Sequence, residues 1–365
     1  MPGGIQGGLS GGIEPAQGWE ALLGAVAESP GITLVIGEVD TGKSCLCAFL
    51  AGSLAEGGFK TAVVDADVGQ SDIGPPTTIG LGEVPGRLSS LSECKELALH
   101  FVGHCSPEGF LLQTLVGTVR LAVEALRMGF EQVVVDTTGL VHGPGRALKL
   151  AKATLLQPRH IVFIEREEEL SALRAWLPSA CDAKVHTLRP SPRVRERSRE
   201  ERRERRKALF ASYFEGAKEV VYKGVVVRGS SFGHGRPLPG HMLSYLGERL
   251  STKPKYAERD CKELRVVAGE TFDLTGLGEL AGSFGVEKVR VASPSRWKNL
   301  VVGLTERGGF CLGVGILLEV DWAEGAFLVL TPRSVDPSRV GVIELGALRI
   351  KSDGTELGKV HPAEL

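Results

Sequence analysis

The chain has 365 residues, of which 42% are hydrophobic and 24% charged, and its 43 Lys and Arg against 44 Asp and Glu leave a formal net charge of −1. This length suits two domains with a full hydrophobic core and requires neither disulfides nor a structural metal. The near-neutral balance excludes binding of polyanions through overall charge, so such a site must come from local clustering.

Seven cysteines are scattered along the chain without a Cys-x-x-Cys pair, which fits reduced thiols better than a disulfide framework or a zinc site. No Lys or Arg precedes Lys43, and the apolar run Leu22–Ala27 is too short for a secretory signal or a membrane span. A cytoplasmic protein with no membrane partner is expected.

In chain order, residues 1–15 form a Gly-rich, flexible N-terminus and Trp19–Ala27 a short helix. Strands are predicted at Thr33–Ile36, Thr61–Asp65, Leu97–Val102, Gln132–Asp136 and His160–Ile164. Between them lie helices at Lys43–Glu56, Leu111–Met128 and Gly145–Leu156. Runs of β-branched residues without alternation suit strands covered on both faces, and alternation with helices argues a doubly wound, mostly parallel α/β sheet.

From about Val220 the texture changes to short strand-like runs separated by Gly, Pro and Asp, with no strong helix pattern after Leu250. The runs are Val220–Val227, Leu264–Val267, Lys288–Ala292, Leu300–Leu304, Gly313–Val320, Ala326–Leu330 and Val340–Ile350. The expected division is an α/β domain over residues 16–219 and a β-rich C-terminal domain over 220–365.

Gly37-Glu38-Val39-Asp40-Thr41-Gly42-Lys43-Ser44 matches the full phosphate-loop (Walker A) pattern, with a strand before it and a helix after it. Its glycines let successive N–H groups face a phosphate, and the helix N-terminus, with Cys45, adds partial positive charge there. Lys43 reaches the β- and γ-phosphates of a nucleoside triphosphate in this pattern, and the Ser44 hydroxyl ligates Mg²⁺.

Asp65 and Asp67 stand at the carboxyl end of the second strand, the side where ligands bind in such sheets. One of the pair can hold the metal through water while the other accepts a proton from an attacking hydroxyl. Asp136-Thr137-Thr138-Gly139 ends the next strand, and Asp136 is a further candidate for the metal or its water. The same letters occur in GTPase switches, but no Asn-Lys-x-Asp guanine motif is present.

Residues 189–207 carry ten Lys or Arg against four Glu. The run can be a solvated helix face with i,i+4 ion pairs, or a lid whose arginines neutralise charge on a transferring phosphoryl group or on nucleic-acid phosphates.

Together these residues resemble the polynucleotide 5′-hydroxyl kinases, the family that includes the kinase subunit of the pre-mRNA cleavage factor, the nucleolar pre-rRNA-processing kinases and their archaeal and bacterial relatives. The block Asp65-Ala-Asp67-Val-Gly-Gln70, with its proline-rich continuation to Thr78, is similar to the family's Asp/Glu-x-Asp-x-Gly-Gln block. The resemblance implies that Asp67 is the general base and that Gln70 sits in the active site. Val102–Pro107 resembles a substrate-holding loop in which Ser106 keeps its hydroxyl. Thr137, Thr138, Gly139 and Leu140 are similar to the family's substrate clasp, with Leu140 where the cleavage-factor subunits have Trp. Arg197-Ser198 through Arg202 to Tyr213-Phe214 matches the lid landmarks and makes Arg197 and Arg202 the catalytic lid arginines, within a lid over 189–214. The phosphate loop starts at Gly37, which leaves no room ahead of it for the β-sandwich of the cleavage-factor members, a layout similar to the prokaryotic ones.

The expected function is therefore transfer of the γ-phosphate of ATP or GTP, with Mg²⁺, to the 5′-hydroxyl end of RNA or DNA. Lys43, Asp67, Arg197 and Arg202 are the catalytic residues, and Ser44, Asp65 and Asp136 hold the metal. The alternatives are a regulatory phosphate-loop switch and an ATP-binding RNA-processing scaffold that does not turn over.

Overall fold

A computed structural model describes residues 13–360; most of the Gly-rich N-terminus and His361 lie outside them. The chain forms two compact units, one ending at Arg206 and one starting at Lys207.

The first unit contains α1 (Trp19–Glu28), β1 (Ile32–Gly37), α2 (Lys43–Glu56), β2 (Thr61–Ala66), β3 (Thr78–Glu83) and β4 (Lys95–Phe101). It continues with α3 (Leu111–Arg127), β5 (Gln132–Thr137), α4 (Pro144–Leu156), β6 (His160–Ile164), α5 (Ser171–Trp176), β7 (Lys184–Leu188) and the start of α6 (Arg199–Tyr213). Its sheet runs β4-β3-β2-β5-β1-β6-β7, parallel from β2 to β7 and antiparallel where β3 and β4 extend it.

Every residue of β1, β5 and β6 is buried, which is why these strands read as unbroken apolar runs. Leu46, Leu50 and Leu54 of α2 recur at four-residue spacing and pack with Val35, Val63 and Trp19. Full burial of each such leucine contributes about 1.5–3 kcal/mol.

Two strands of this unit escape the sequence reading. In β3 (TIGLGE), a Cβ on Gly80 would fall 2.1 Å from the Ile73 carbonyl oxygen, and one on Gly82 would fall 2.7 Å from Cys94 Cβ. The glycines are there because the loop after β2 folds back onto the strand, a non-local reason that also removes the strand-forming side chains. The other, β7, is a largely exposed edge strand of mixed polarity.

The second unit begins within α6, before the expected 219/220 boundary, because the end of that helix packs there. Phe210 and Phe214 are buried, and the Tyr213 hydroxyl accepts a hydrogen bond from Val314 N at 2.9 Å. The unit holds β8 (Lys218–Lys223), β9 (Val226–Arg228), β10 (Arg236–Pro237), α7 (Gly240–Arg249), β11 (Tyr256–Arg259), β12 (Glu263–Val267), α8 (Leu277–Phe284) and β13 (Lys288–Ala292). It ends with β14 (Leu300–Thr305), β15 (Cys311–Asp321), β16 (Ala326–Thr331), β17 (Val342–Ile350) and β18 (Glu356–Lys359). One sheet runs β18-β17-β14-β15-β16-β8 and a second β10-β11-β12-β13.

The expected strand Val220–Val227 is split into β8 and β9 at Gly224, whose φ is +69°. The expectation of no helix beyond Leu250 fails at α8, a short helix bounded by left-handed Gly276 and Gly285. Trp297 and Trp322 are core residues around Phe232, whereas Trp176 is 44% exposed. No helix among the described residues is long and apolar enough to cross a membrane.

Candidate active site

The phosphate loop joins the carboxyl end of β1 to α2. Gly42 takes φ +87° at the helix N-cap, and Asp40 takes φ +54°. The Thr41 hydroxyl donates to the Glu38 carbonyl at 2.9 Å, and Lys43 Nζ donates to the same oxygen at 2.6 Å. A Cβ on Gly37 would meet Thr41 Oγ1 at 2.6 Å and the Ile164 carbonyl at 2.8 Å, so the loop closes tightly only with glycine there. The Glu38 side chain turns to His142 (2.6 Å) and Arg166 (3.8 Å).

Three carboxylates stand beside the loop in different environments. Asp65 is buried at the end of β2. Its Oδ1 accepts from Asp67 N at 3.1 Å, and its Oδ2 accepts from Asp72 N at 2.6 Å, Ile73 N at 3.1 Å and Ser71 Oγ at 3.3 Å. Both oxygens of Asp65, expected to help hold the metal, accept hydrogen bonds from the loop that follows it. Burial, then Asp136, pushes its carboxyl well above the usual range.

Asp67 is partly exposed, and its Oδ1 accepts from Gly69 N at 3.1 Å and Gln70 N at 3.2 Å. Asp136, buried at the end of β5, accepts the Ser44 hydroxyl on Oδ2 at 2.5 Å, while its Oδ1 is buried without a hydrogen-bond partner. Burial raises its carboxyl to about 6, against the opposing pull of Lys43 and Ser44. A hydroxyl next to an unsatisfied carboxylate oxygen fits a hard divalent cation. Among the described residues no group of three or more His, Cys, Asp or Glu is arranged to hold a metal alone. A cation on Ser44 and Asp136 would therefore complete its shell from phosphate and water.

A cavity of about 590 Å³ opens over these groups, lined by the loop residues Val39, Asp40 and Gly42–Cys45, by Asp67, Gln70 and Asp72, and by Arg197, Arg202 and Arg205. Ser191, Arg193, Val194 and Arg195 line it from the chain before α6, and Trp19 and Ser89–Leu91 from the far side. Arg202 Nη2 donates to Asp40 Oδ2 at 2.7 Å, Arg205 Nη2 to Asp72 Oδ1 at 2.5 Å, and Gln70 Nε2 to the Arg202 carbonyl at 3.3 Å. The basic run thus covers the phosphate loop. Cys45, the first residue past Ser44, is exposed on the cavity wall; burial of its sulfur and the nearby Asp136 raise its thiol above the ordinary value.

Of the expected substrate residues, Gln70 and Gly139 line the cavity. The buried Thr137 hydroxyl donates to the Val35 carbonyl at 2.7 Å, and Ser106 Oγ accepts from Glu108 N at 3.2 Å. Thr138 is buried and Leu140 half-buried. A Cβ on Gly139 would fall 2.4–2.8 Å from Val39, backbone nitrogen included, so this segment lies directly against the phosphate loop. Beneath it, Lys149 of α4 donates from Nζ to the Thr138 carbonyl at 2.7 Å with no solvent exposure. One turn on, Lys152 Nζ is buried without a partner. Burial lowers Lys149 well below the usual lysine value and Lys152 to about 7.

Sequence reasoning did not single out Arg205, Arg166, Lys149 or Lys152. Arg205 had a signal, being in the same arginine run; the lysines had none, because two lysines three apart on a helix ordinarily read as a solvated face.

Residues 37–216 match the family model described as the mRNA cleavage and polyadenylation factor CLP1 P-loop. The chain is 36% identical over 335 residues to the polyribonucleotide 5′-hydroxyl-kinase of Pyrococcus horikoshii, covering 91% of this chain and 89% of the relative. It is 37% identical over 331 residues to the one of Pyrococcus furiosus, covering 90% of each. It is 30% identical over 341 residues to the one of Methanocaldococcus jannaschii, covering 91% of this chain and 90% of the relative. Among solved structures, a chain of the wild-type Clp1p–Pcf11p complex shares the fold with a TM-score of 0.57 at 13% identity, covering 90% of this chain and 77% of that one. Identity at this level over nine-tenths of chains of similar length, on this phosphate-loop fold, means that the chain belongs to the polyribonucleotide 5′-hydroxyl-kinase family.

Proposed function

We propose that the protein is a polyribonucleotide 5′-hydroxyl kinase, which transfers the γ-phosphoryl group of a nucleoside triphosphate to the 5′-hydroxyl of RNA. The observation that carries this reading is that Lys43, Ser44, Asp67, Gln70, Arg197 and Arg202 line one cavity. In-line phosphoryl transfer asks the protein chiefly for positioning and charge neutralisation.

In this reading the loop amides and Lys43 hold the β- and γ-phosphates. Ser44 and Asp136 hold a divalent cation, Mg²⁺, which supplies further neutralisation of phosphate charge when bound. Asp65 leaves the metal to Asp136 and acts by fixing the loop that carries Asp67. Asp67, oriented through the two N–H groups on Oδ1, accepts the proton of the attacking 5′-hydroxyl as the new ester bond forms and the β–γ phosphate bond breaks. Arg197 and Arg202 neutralise the charge on the transferring group. Gln70, Gly139 and Leu140, with Ser106, Thr137 and Thr138 supporting the surrounding loops, border the path of the RNA end. None of these residues is assigned to a base or to a 2′-hydroxyl, so the donor is ATP or GTP and a DNA 5′-end is the alternative acceptor to test.

The test is transfer of label from γ-labelled ATP or GTP to RNA and DNA oligonucleotides carrying a 5′-hydroxyl. Label should appear on the RNA end, and Asp67→Asn and Arg202→Ala should each lower turnover by about 10²–10⁴-fold. Label found only in free phosphate would replace this reading with that of a hydrolytic switch.

A further inference from the structure

Asp40 is a carboxylate inside a loop built to bind phosphate. Its backbone is in the left-handed region, at φ +54°, which aspartate tolerates better than most side chains. Its Oδ2 accepts from the Arg197 backbone N at 3.0 Å and from Arg202 Nη2 at 2.7 Å, and the same Nη2 donates to the Arg197 carbonyl at 2.6 Å. Arg166 Nη2 fixes the Asp40 carbonyl at 2.8 Å. Arg202 Nε is buried and has no hydrogen-bond partner, although the residue lines the cavity.

A free carboxylate at this place repels a triphosphate, whereas one paired with a guanidinium does not. The lid arginine therefore has two tasks. With Nη2 it neutralises the loop's own negative charge, and its guanidinium lines the cavity in which a phosphoryl group would lie. We propose that Asp40 links nucleotide binding to lid closure: with the lid shut it is neutralised by Arg202 and holds that arginine over the loop, and with the lid open its bare charge weakens the hold on the triphosphate. By reciprocity, a bound nucleotide favours the shut lid by the same factor. The effect is to keep the site from filling firmly unless the arginine is in place. The inference rests on the reading of Arg197 and Arg202 as lid residues over a nucleotide site.

The test is a double-mutant cycle read by calorimetric titration of the full-length protein with a non-hydrolysable ATP analogue and Mg²⁺. Arg202→Ala alone should weaken binding about 30-fold, because it removes a phosphate donor and bares Asp40, whereas in an Asp40→Asn background it should weaken binding only about 3-fold. Asp40→Asn alone should bind the analogue at least as tightly as the wild type but turn over more slowly, since Arg202 loses its anchor. An equal loss on Arg202→Ala in both backgrounds overturns the proposal, as does an Asp40→Asn protein that is folded yet binds more weakly. Asp40→Gly, which also removes the carboxylate and suits the left-handed backbone, gives the same readout if the Asn variant does not fold. The binding cycle needs no RNA, so its failure is separable from failure of the kinase reading, which the transfer assay reports.

Discussion

Nζ of Lys149 donates a 2.7 Å hydrogen bond to the backbone carbonyl of Thr138, from a side chain with no solvent exposure. The bond holds the segment 137–140 from one side while Gly139 abuts Val39 of the phosphate loop. Where this segment lies against the phosphate loop is thus tied to a lysine buried beneath it.

Lys152 has the same burial but no partner, and comparing the two lysines isolates the value of that bond. A buried, unpartnered lysine lowered to about 7 binds fewer protons in the folded state than in the unfolded one between pH 7 and its ordinary value near 10.5. The burial penalty is therefore complete below pH 7 and is relieved as pH rises toward 10.5. Lys152→Met should raise stability at pH 7 by about 1–4 kcal/mol, with the gain shrinking toward pH 10. Urea unfolding of wild type and variant at pH 7, 8.5 and 10 measures it.

Lys149→Met removes the same buried amine but also orphans the Thr138 carbonyl. It should be less stable than Lys152→Met by about 1–3 kcal/mol. Its KM for the RNA 5′-end should rise while nucleotide affinity stays near wild type. Parallel urea titrations and steady-state kinetics at varied RNA concentration give both comparisons.

Gly139→Ala inserts a methyl group where Val39 backbone and side chain already stand at 2.4–2.8 Å. Neither neighbour is a flexible side-chain end, so the clasp and the phosphate loop must separate. A stability loss of about 1–3 kcal/mol and at least tenfold weaker nucleotide binding are expected, read by thermal unfolding and by titration with a fluorescent nucleotide.

Asp136→Asn removes the carboxylate that faces the Ser44 hydroxyl. The Mg²⁺ concentration needed for half-maximal transfer should rise at least tenfold. In the wild type the acid side should behave similarly: burial raises the Asp136 carboxyl to about 6, so its proton should compete with a cation as pH falls. The Mg²⁺ midpoint should climb between pH 7 and 5 in the wild type and stay flat in the variant.

Contiguous chemistry was legible in the sequence. Gly37–Ser44 is a local pattern whose geometry follows from its own glycines, and Lys43–Glu56 and His160–Ile164 appear with the boundaries expected from capping and apolar runs. What depends on remote partners was not legible. Thr78–Glu83 is a strand whose glycines answer to Ile73 and Cys94, so its letters carry little strand signal. The Asp72 and Ile73 amides that converge on Asp65 Oδ2 have no signal in the sequence, where Asp65 reads only as a carboxylate at a strand end. Lys149 and Lys152 look solvated until the sheet is laid beneath them. The pairing of Arg202 with Asp40 joins residues that no spacing rule connects.

Cys45, an exposed residue on the first turn after Ser44 that lines the cavity, makes the site self-reporting. An alkylating reagent that reaches the empty protein has to compete with whatever occupies the phosphate loop, so the rate of adduct formation, followed by intact-mass spectrometry, tracks occupancy without a dye or radiolabel. With its thiol raised by burial and by Asp136, the reaction runs slowly at neutral pH and faster in mild alkali, which sets a convenient window for ranking nucleotides by the protection they confer.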